Sequence, residues 1–91
     1  MRIEVSEQVR EYLRTCPPEP RRLLRAAIRK LATEQGDLKI LTRELTGYHR
    51  LRVKSYRVIF RYKVSGSERT IFCAFAEHRG VVYETFLNLL H

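Results

Sequence analysis

From Tyr48 to Val64 the chain alternates in two runs separated only by Lys54-Ser55, and this pattern restricts the middle of the molecule to an antiparallel hairpin. Alternation with period two belongs to strands that bury one face. In the first run His49, Leu51 and Val53 share the face turned to the core, while Tyr48, Arg50 and Arg52 share the other. A two-residue turn then pairs Val53 with Tyr56, Arg52 with Arg57, Arg50 with Ile59 and Tyr48 with Arg61, because antiparallel partners move in opposite directions. One open sheet face carries Arg50, Arg52, Arg57 and Arg61, with Lys63 at its end and no acid interleaved.

The rest of the chain supplies what such a hairpin must pack against. Arg2–Val5 alternates as a short strand, and Ser6 is a good N-cap for a helix whose stripe is Val9, Tyr12, Leu13 and Cys16. Pro17-Pro18 stops that helix. A second begins near Pro20, carries Leu24, Ala27, Ile28 and Leu31 on one side, and ends at Gly36, so the two form an αα-hairpin. Asp37 to Gly47 has no clear period, although Leu38, Ile40, Leu41 and Leu45 can pin it to the core. After the turn Ser65-Gly66-Ser67, the run Thr70–Ala76 is apolar on both faces, as a central strand is. Beyond Gly80, Val82, Phe86 and Leu89 or Leu90 define a helix that covers the sheet. The expected class is α+β: an N-terminal strand, an αα-hairpin, a mainly antiparallel twisted sheet and a C-terminal helix, with 1–91 as a single domain.

The formal net charge is +8, and it is unevenly spread. Residues 43–63 hold seven Lys/Arg against one Asp/Glu, whereas 64–91 hold two against three. A small domain this basic attracts polyanions. Like charges opposed in a sheet destabilise it by up to about 1 kcal/mol a pair, so an anion bound among these arginines lowers the energy of the arrangement. Phosphate suits planar guanidinium groups, and Tyr48 can stack on a base or ribose beside them. Strands also carry Lys and Arg simply to stay soluble and avoid edge pairing, but a mixed surface serves that purpose better. Arg21, Arg22, Arg25, Arg29 and Lys30 read as a solvated helix face.

Cys16 and Cys73 have no metal-ligand spacing and sit in apolar patterns, which suits free thiols in a reducing compartment. The first residues lack the apolar core of a secretion signal and no stretch approaches the ~20 apolar residues of a membrane span. A cytoplasmic protein with no membrane partner is expected.

The run Leu45-Thr46-Gly47-Tyr48-His49-Arg50-Leu51-Arg52-Val53, then Tyr56-Arg57-Val58-Ile59-Phe60, resembles the middle of RelE/ParE superfamily toxins, which commonly read L-x-G-x-x-R-L-R-V, a short turn, and Y-R-V-I-Y. Glu77-His78-Arg79 with Val82-Tyr83 similarly resembles the family's H-R-x-x-V-Y ending. The resemblance covers essentially the whole chain and favours the RelE-like branch. It implies the toxin of a type II toxin-antitoxin system: a ribosome-dependent mRNA endoribonuclease that uses the RNA 2′-hydroxyl as nucleophile, without metal or small-molecule cofactor. Its partners would be a cognate antitoxin, the ribosome and mRNA. Carried over by position, Arg50, Arg52, Arg57, Arg79 and Tyr83 would hold and cleave the scissile phosphate. Lys54, Arg61, Tyr48 and His78 would be further RNA contacts.

Such cleavage needs a group to take the 2′-hydroxyl proton, groups to stabilise the phosphorane and a group to protonate the leaving 5′-oxygen. Arg57 and Arg79 suit the phosphorane, and Tyr83 suits orientation of the nucleotide, though it also falls at the edge of the last helix's apolar stripe. Where RelE itself has lysines this chain has Arg50 and Arg52, whose high pKa values do not favour proton abstraction. His78, beside Arg79, is the candidate acid or base, while His49 points inward as a core histidine. A ParE-like poison of DNA gyrase, or an RNA-binding relative without catalysis, are the alternatives.

Overall fold

The computed structural model describes residues 1–90. Its elements are β1 (Arg2–Val5), α1 (Glu7–Thr15), α2 (Pro18–Lys30), β2 (Asp37–Ile40), β3 (His49–Val53), β4 (Tyr56–Ser65), β5 (Glu68–His78) and α3 (Val82–Leu90), with short 3₁₀ turns at Leu31–Thr33 and Arg43–Leu45. The sheet order is β1-β5-β4-β3-β2; β1 runs parallel to β5 and the other neighbours are antiparallel. This is the expected α+β arrangement.

Ser6 begins α1 as its sequence suggests. The hydroxyl accepts from the Val9 N–H at 3.1 Å and donates to the Ala74 carbonyl at 2.8 Å, so one side chain caps the helix and ties it to β5. At the other end Arg21 reaches back from α2. Its Nε donates to the Leu13 carbonyl at 2.9 Å, and one terminal nitrogen donates to those of Arg14 and Cys16 at 3.1 and 2.8 Å. Arg21 is therefore the brace of the αα-hairpin, which corrects its assignment to a solvated face: a cation placed on orphan carbonyls also complements the helix dipole.

Helix α2 starts at Pro18, two residues before Pro20, because proline at the first helical position lacks only a donor that is orphaned anyway. It does not run to Gly36. The helix ends at Lys30, and after the 3₁₀ turn Glu34 adopts a left-handed φ of 55° while its carboxylate accepts from the Tyr62 hydroxyl at 2.6 Å. Gly36 instead opens β2: its φ is 135°, and a Cβ there would lie 2.9 Å from Leu51 Cδ1. The aperiodic stretch thus contains an edge strand.

The β3–β4 register matches the sequence expectation for Val53–Tyr56, Arg52–Arg57 and Arg50–Ile59. It stops one step short of Tyr48–Arg61. The last pair is His49–Phe60, and the Tyr48 carbonyl accepts from the Leu41 N–H at 3.0 Å instead. Between β4 and β5 the register shifts once: Ile59 opposes Phe75 but Phe60 opposes Cys73, which leaves Ala74 as a bulged extra residue.

Side chains on the two faces form two cores. On one, α1 and α2 cover Leu51, Val58, Phe60, Ile71, Cys73 and Ala76. On the other, α3 and the 41–45 segment bring Val82, Phe86, Leu41 and Leu45 onto Ile59 and Phe75. Each fully buried aliphatic or aromatic side chain contributes about 1.5–3 kcal/mol. The second core is the smaller one, and the arginines share its face of the sheet.

Candidate nucleic-acid interface

The two-residue turn at Lys54-Ser55 sets the site's position. Lys54 takes a φ of 54°, unusual for a residue with a Cβ. The Arg57 guanidinium folds back on this turn, one nitrogen donating to the carbonyls of Lys54 at 2.8 Å and Tyr56 at 2.9 Å. From the end of β5, the Arg79 N–H donates to the Ser55 carbonyl at 2.8 Å, which pins Arg79 to the same turn.

Around Arg57 the expected residues converge. Arg52 is its direct cross-strand partner and Arg50 lies two residues along β3 on the same face. Burial lowers the Arg57 pKa first, and Arg50, Arg52 and Arg79 lower it further, while Tyr83 acts in the opposite sense. All four groups are thus within electrostatic reach of this guanidinium. Tyr83, half-buried, packs its ring against the second core from the first turn of α3. That position is the apolar-stripe edge that the spacing of the last helix suggests.

No carboxylate lies within ion-pair distance of Arg57 or Arg79 among the described residues. Arg50 and Arg52 differ. Asp37, the first residue of β2, places one oxygen 3.0 Å from Arg50 and the other 3.2 Å from the Arg52 Nε. This corrects the expectation of a face without acid. Asp37 falls in a stretch without a clear period, and its role depends on β2 pairing with β3, which places Asp37 opposite Arg52.

Four other expected contacts stand apart from this cluster. Arg61 lies four residues along β4 from Arg57, about 13 Å on strand geometry, and its guanidinium sits over the Phe72 ring at 5.4 Å. Lys63 also reaches Phe72, at 5.3 Å, and pairs with Glu4 at 3.2 Å. The basic face is therefore two patches. Tyr48 packs edge-on against Phe86, with centroids 5.0 Å apart, so α3 occupies its ring. Lys54 is exposed, and it adds to the lowering of the Glu19 pKa that Arg22 dominates.

His78 lies on the opposite face. Counting without a bulge, it would share the arginine face, but the extra residue Ala74 exchanges the sides: Glu77 opposes Arg57 and His78 opposes Tyr56. Its ring meets Tyr56 edge-on at 5.8 Å. His49 is on that same helix-covered face, stacked on Phe60 at 5.3 Å, and burial lowers its pKa. Neither of these histidines faces Arg57. Among the described residues no cluster of His, Cys, Asp and Glu has the makings of a metal site, and no helix is long and apolar enough to cross a membrane.

No family model and no curated protein sequence matches the chain. Solved structures do. The YoeB/ParE toxin from Agrobacterium tumefaciens is 17% identical, with a TM-score of 0.69 over 86% of this chain and 98% of its own. The archaeal RelE of the RelE-RelB complex from Pyrococcus horikoshii OT3 is 26% identical, with a TM-score of 0.65 over 87% and 94%. The toxin-antitoxin complex RelBE2 from Mycobacterium tuberculosis provides a match at 26% identity and a TM-score of 0.61, over 86% and 96%. With the N-terminal strand, helical hairpin, five-stranded sheet and C-terminal helix in the same order, this chain belongs by its fold to the RelE/ParE-like toxin superfamily.

Proposed function

We propose that the chain is the toxin of a toxin-antitoxin pair and a metal-independent, ribosome-dependent mRNA endoribonuclease, held in check by a cognate antitoxin. The observation that carries this reading is the convergence of Arg57, Arg79, Arg50, Arg52 and Tyr83 at one end of the sheet. Four guanidinium groups around one position suit a phosphate whose charge grows during reaction.

In this reading the 2′-oxygen attacks the adjacent phosphorus, the bond to the 5′-oxygen breaks, and a cyclic phosphate and a 5′-hydroxyl result. Arg57 and Arg79 stabilise the phosphorane. Arg57 is pre-positioned by its two carbonyl acceptors, so little reorganisation accompanies charge development. Arg50 and Arg52 hold the strand, and Tyr83 stacks on or hydrogen-bonds the nucleotide. The proton transfers fall to groups of the ribosome or RNA, or to solvent, because His49 and His78 face the other way.

That absence of a histidine beside Arg57 among the described residues favours a second reading, a ParE-like gyrase poison or an RNA-binding relative without catalysis. Mapping mRNA 5′ ends on translating ribosomes after induction, alongside a gyrase-cleavage assay, separates them. In-frame cuts that disappear in Arg57→Ala and Arg79→Ala support the nuclease. Intact mRNA with trapped gyrase–DNA complexes overturns it.

A further inference from the structure

We propose that the Asp37 carboxylate is a built-in phosphate surrogate, seated between Arg50 and Arg52 where an RNA phosphate binds and displaced when RNA arrives. The inference rests on the reading of this face as an RNA site, and deepens it to a regulatory contact within the chain. Asp37 divides its two oxygens between two guanidinium groups, at 3.0 Å from Arg50 and 3.2 Å from Arg52, as two oxygens of one phosphate do.

Which partner moves follows from burial. The Arg50 side chain is only 14% exposed and lies in the face of the sheet, whereas Asp37 is 53% exposed at the first position of an edge strand, directly after Gly36. An ion pair with so exposed a carboxylate is weak, and Asp37 rather than Arg50 swings away. Meanwhile the buried Arg50 Nε has no hydrogen-bond partner among the described residues. The Asp37 oxygens meet the terminal nitrogen of Arg50 and the Nε of Arg52, so the carboxylate leaves this donor of Arg50 unpaired. The resting face is thus partly self-neutralised, and Arg57 and Arg79, which have no carboxylate partner among the described residues, make the first contact with the anion.

The test uses the full chain and a fluorescent single-stranded 2′-O-methyl RNA, which lacks the nucleophile and so reports binding alone. Anisotropy titrations over a salt series compare the parent with Asp37→Asn, Asp37→Ala, Arg57→Ala and a charge-matched control, Glu44→Gln, in the exposed 3₁₀ turn. Both Asp37 variants are expected to bind roughly five- to tenfold tighter than the parent. Their salt slope should be steeper by about one, as further arginines engage phosphate. The control should stay within about twofold. Asp37 variants that bind no tighter than Glu44→Gln, or more weakly, overturn the surrogate and make Asp37 a structural partner of the arginines. If Arg57→Ala binds as well as the parent, the RNA reading itself fails; if Arg57→Ala is weakened while the Asp37 variants match the control, the surrogate alone fails.

Discussion

The side-chain amide of Gln8 exchanges two hydrogen bonds with the backbone of Ala76: Nε2 donates to its carbonyl and Oε1 accepts from its N–H, each at 2.8 Å. Strand β1 pairs with β5 only as far as Cys73, so α1 closes the remaining edge, with Ser6 on Ala74 and Gln8 on Ala76. A side chain takes the place of a missing strand residue. Gln8→Ala should lower stability by about 1–2 kcal/mol, the net worth of two such bonds, measured by urea unfolding. The exposed edge should also raise the tendency to associate, seen in light scattering at matched concentration.

The site arginines differ in what else they do. Arg79 is tied to the turn through its backbone N–H, which any residue supplies, so Arg79→Ala should leave the unfolding midpoint unchanged. Arg57→Ala loses the bonds to the Lys54 and Tyr56 carbonyls and should cost about 1 kcal/mol. Both should reduce mRNA cleavage on translating ribosomes by about 10²- to 10³-fold, the usual effect of removing one donor to a developing oxyanion. Equal loss in a variant with unchanged stability, Arg79→Ala, separates catalysis from folding.

Lys54 occupies a left-handed conformation, φ 54°, at the first position of a two-residue turn. A side chain there costs about 1 kcal/mol that glycine does not incur. Lys54→Gly should therefore raise the unfolding free energy by about that amount, while Lys54→Val, branched at Cβ, should lower it. Chemical denaturation of the two variants checks both signs.

Burial pushes the Cys73 thiol from an ordinary 9.0 up to about 12. Folded Cys73 therefore stays protonated where the unfolded chain's thiol ionises. Its contribution to stability is complete below about pH 9 and is lost progressively as pH rises toward about 12, with a slope of at most about 1.4 kcal/mol per unit. Tyr12 and Tyr62, also raised by burial, add the same sign at higher pH. Urea midpoints measured from pH 8 upward should fall, and Cys73→Ala should flatten the first part of that fall.

The hairpin from β3 to β4 was legible because alternation and a two-residue gap determine register together; Arg52 opposite Arg57 follows directly. Strand β2 was not, since four residues at an edge present too few turns of the pattern, and its pairing partner was needed to define it. Missing β2 concealed Asp37. Helix α3 was anticipated, but not that its apolar side would settle between the Arg57 and Arg61 patches, because alternation assigns a face without saying how much of it is covered. The helix ends also moved: Glu34, held by Tyr62, turns the chain before Gly36 is reached. The positions of His78 and Glu77 were lost to a single bulge that leaves no mark in an all-apolar run.

That bulge acts as a phase shifter. Ahead of Ala74, β5 presents Ile71 and Cys73 to the helical hairpin; behind it, Phe75 turns to α3 and Ala76 to the hairpin. Deleting Ala74 would keep the pairs on either side of it, Phe60 with Cys73 and Ile59 with Phe75, so a single-codon loss there would heal the ladder without changing which side chains meet the arginines.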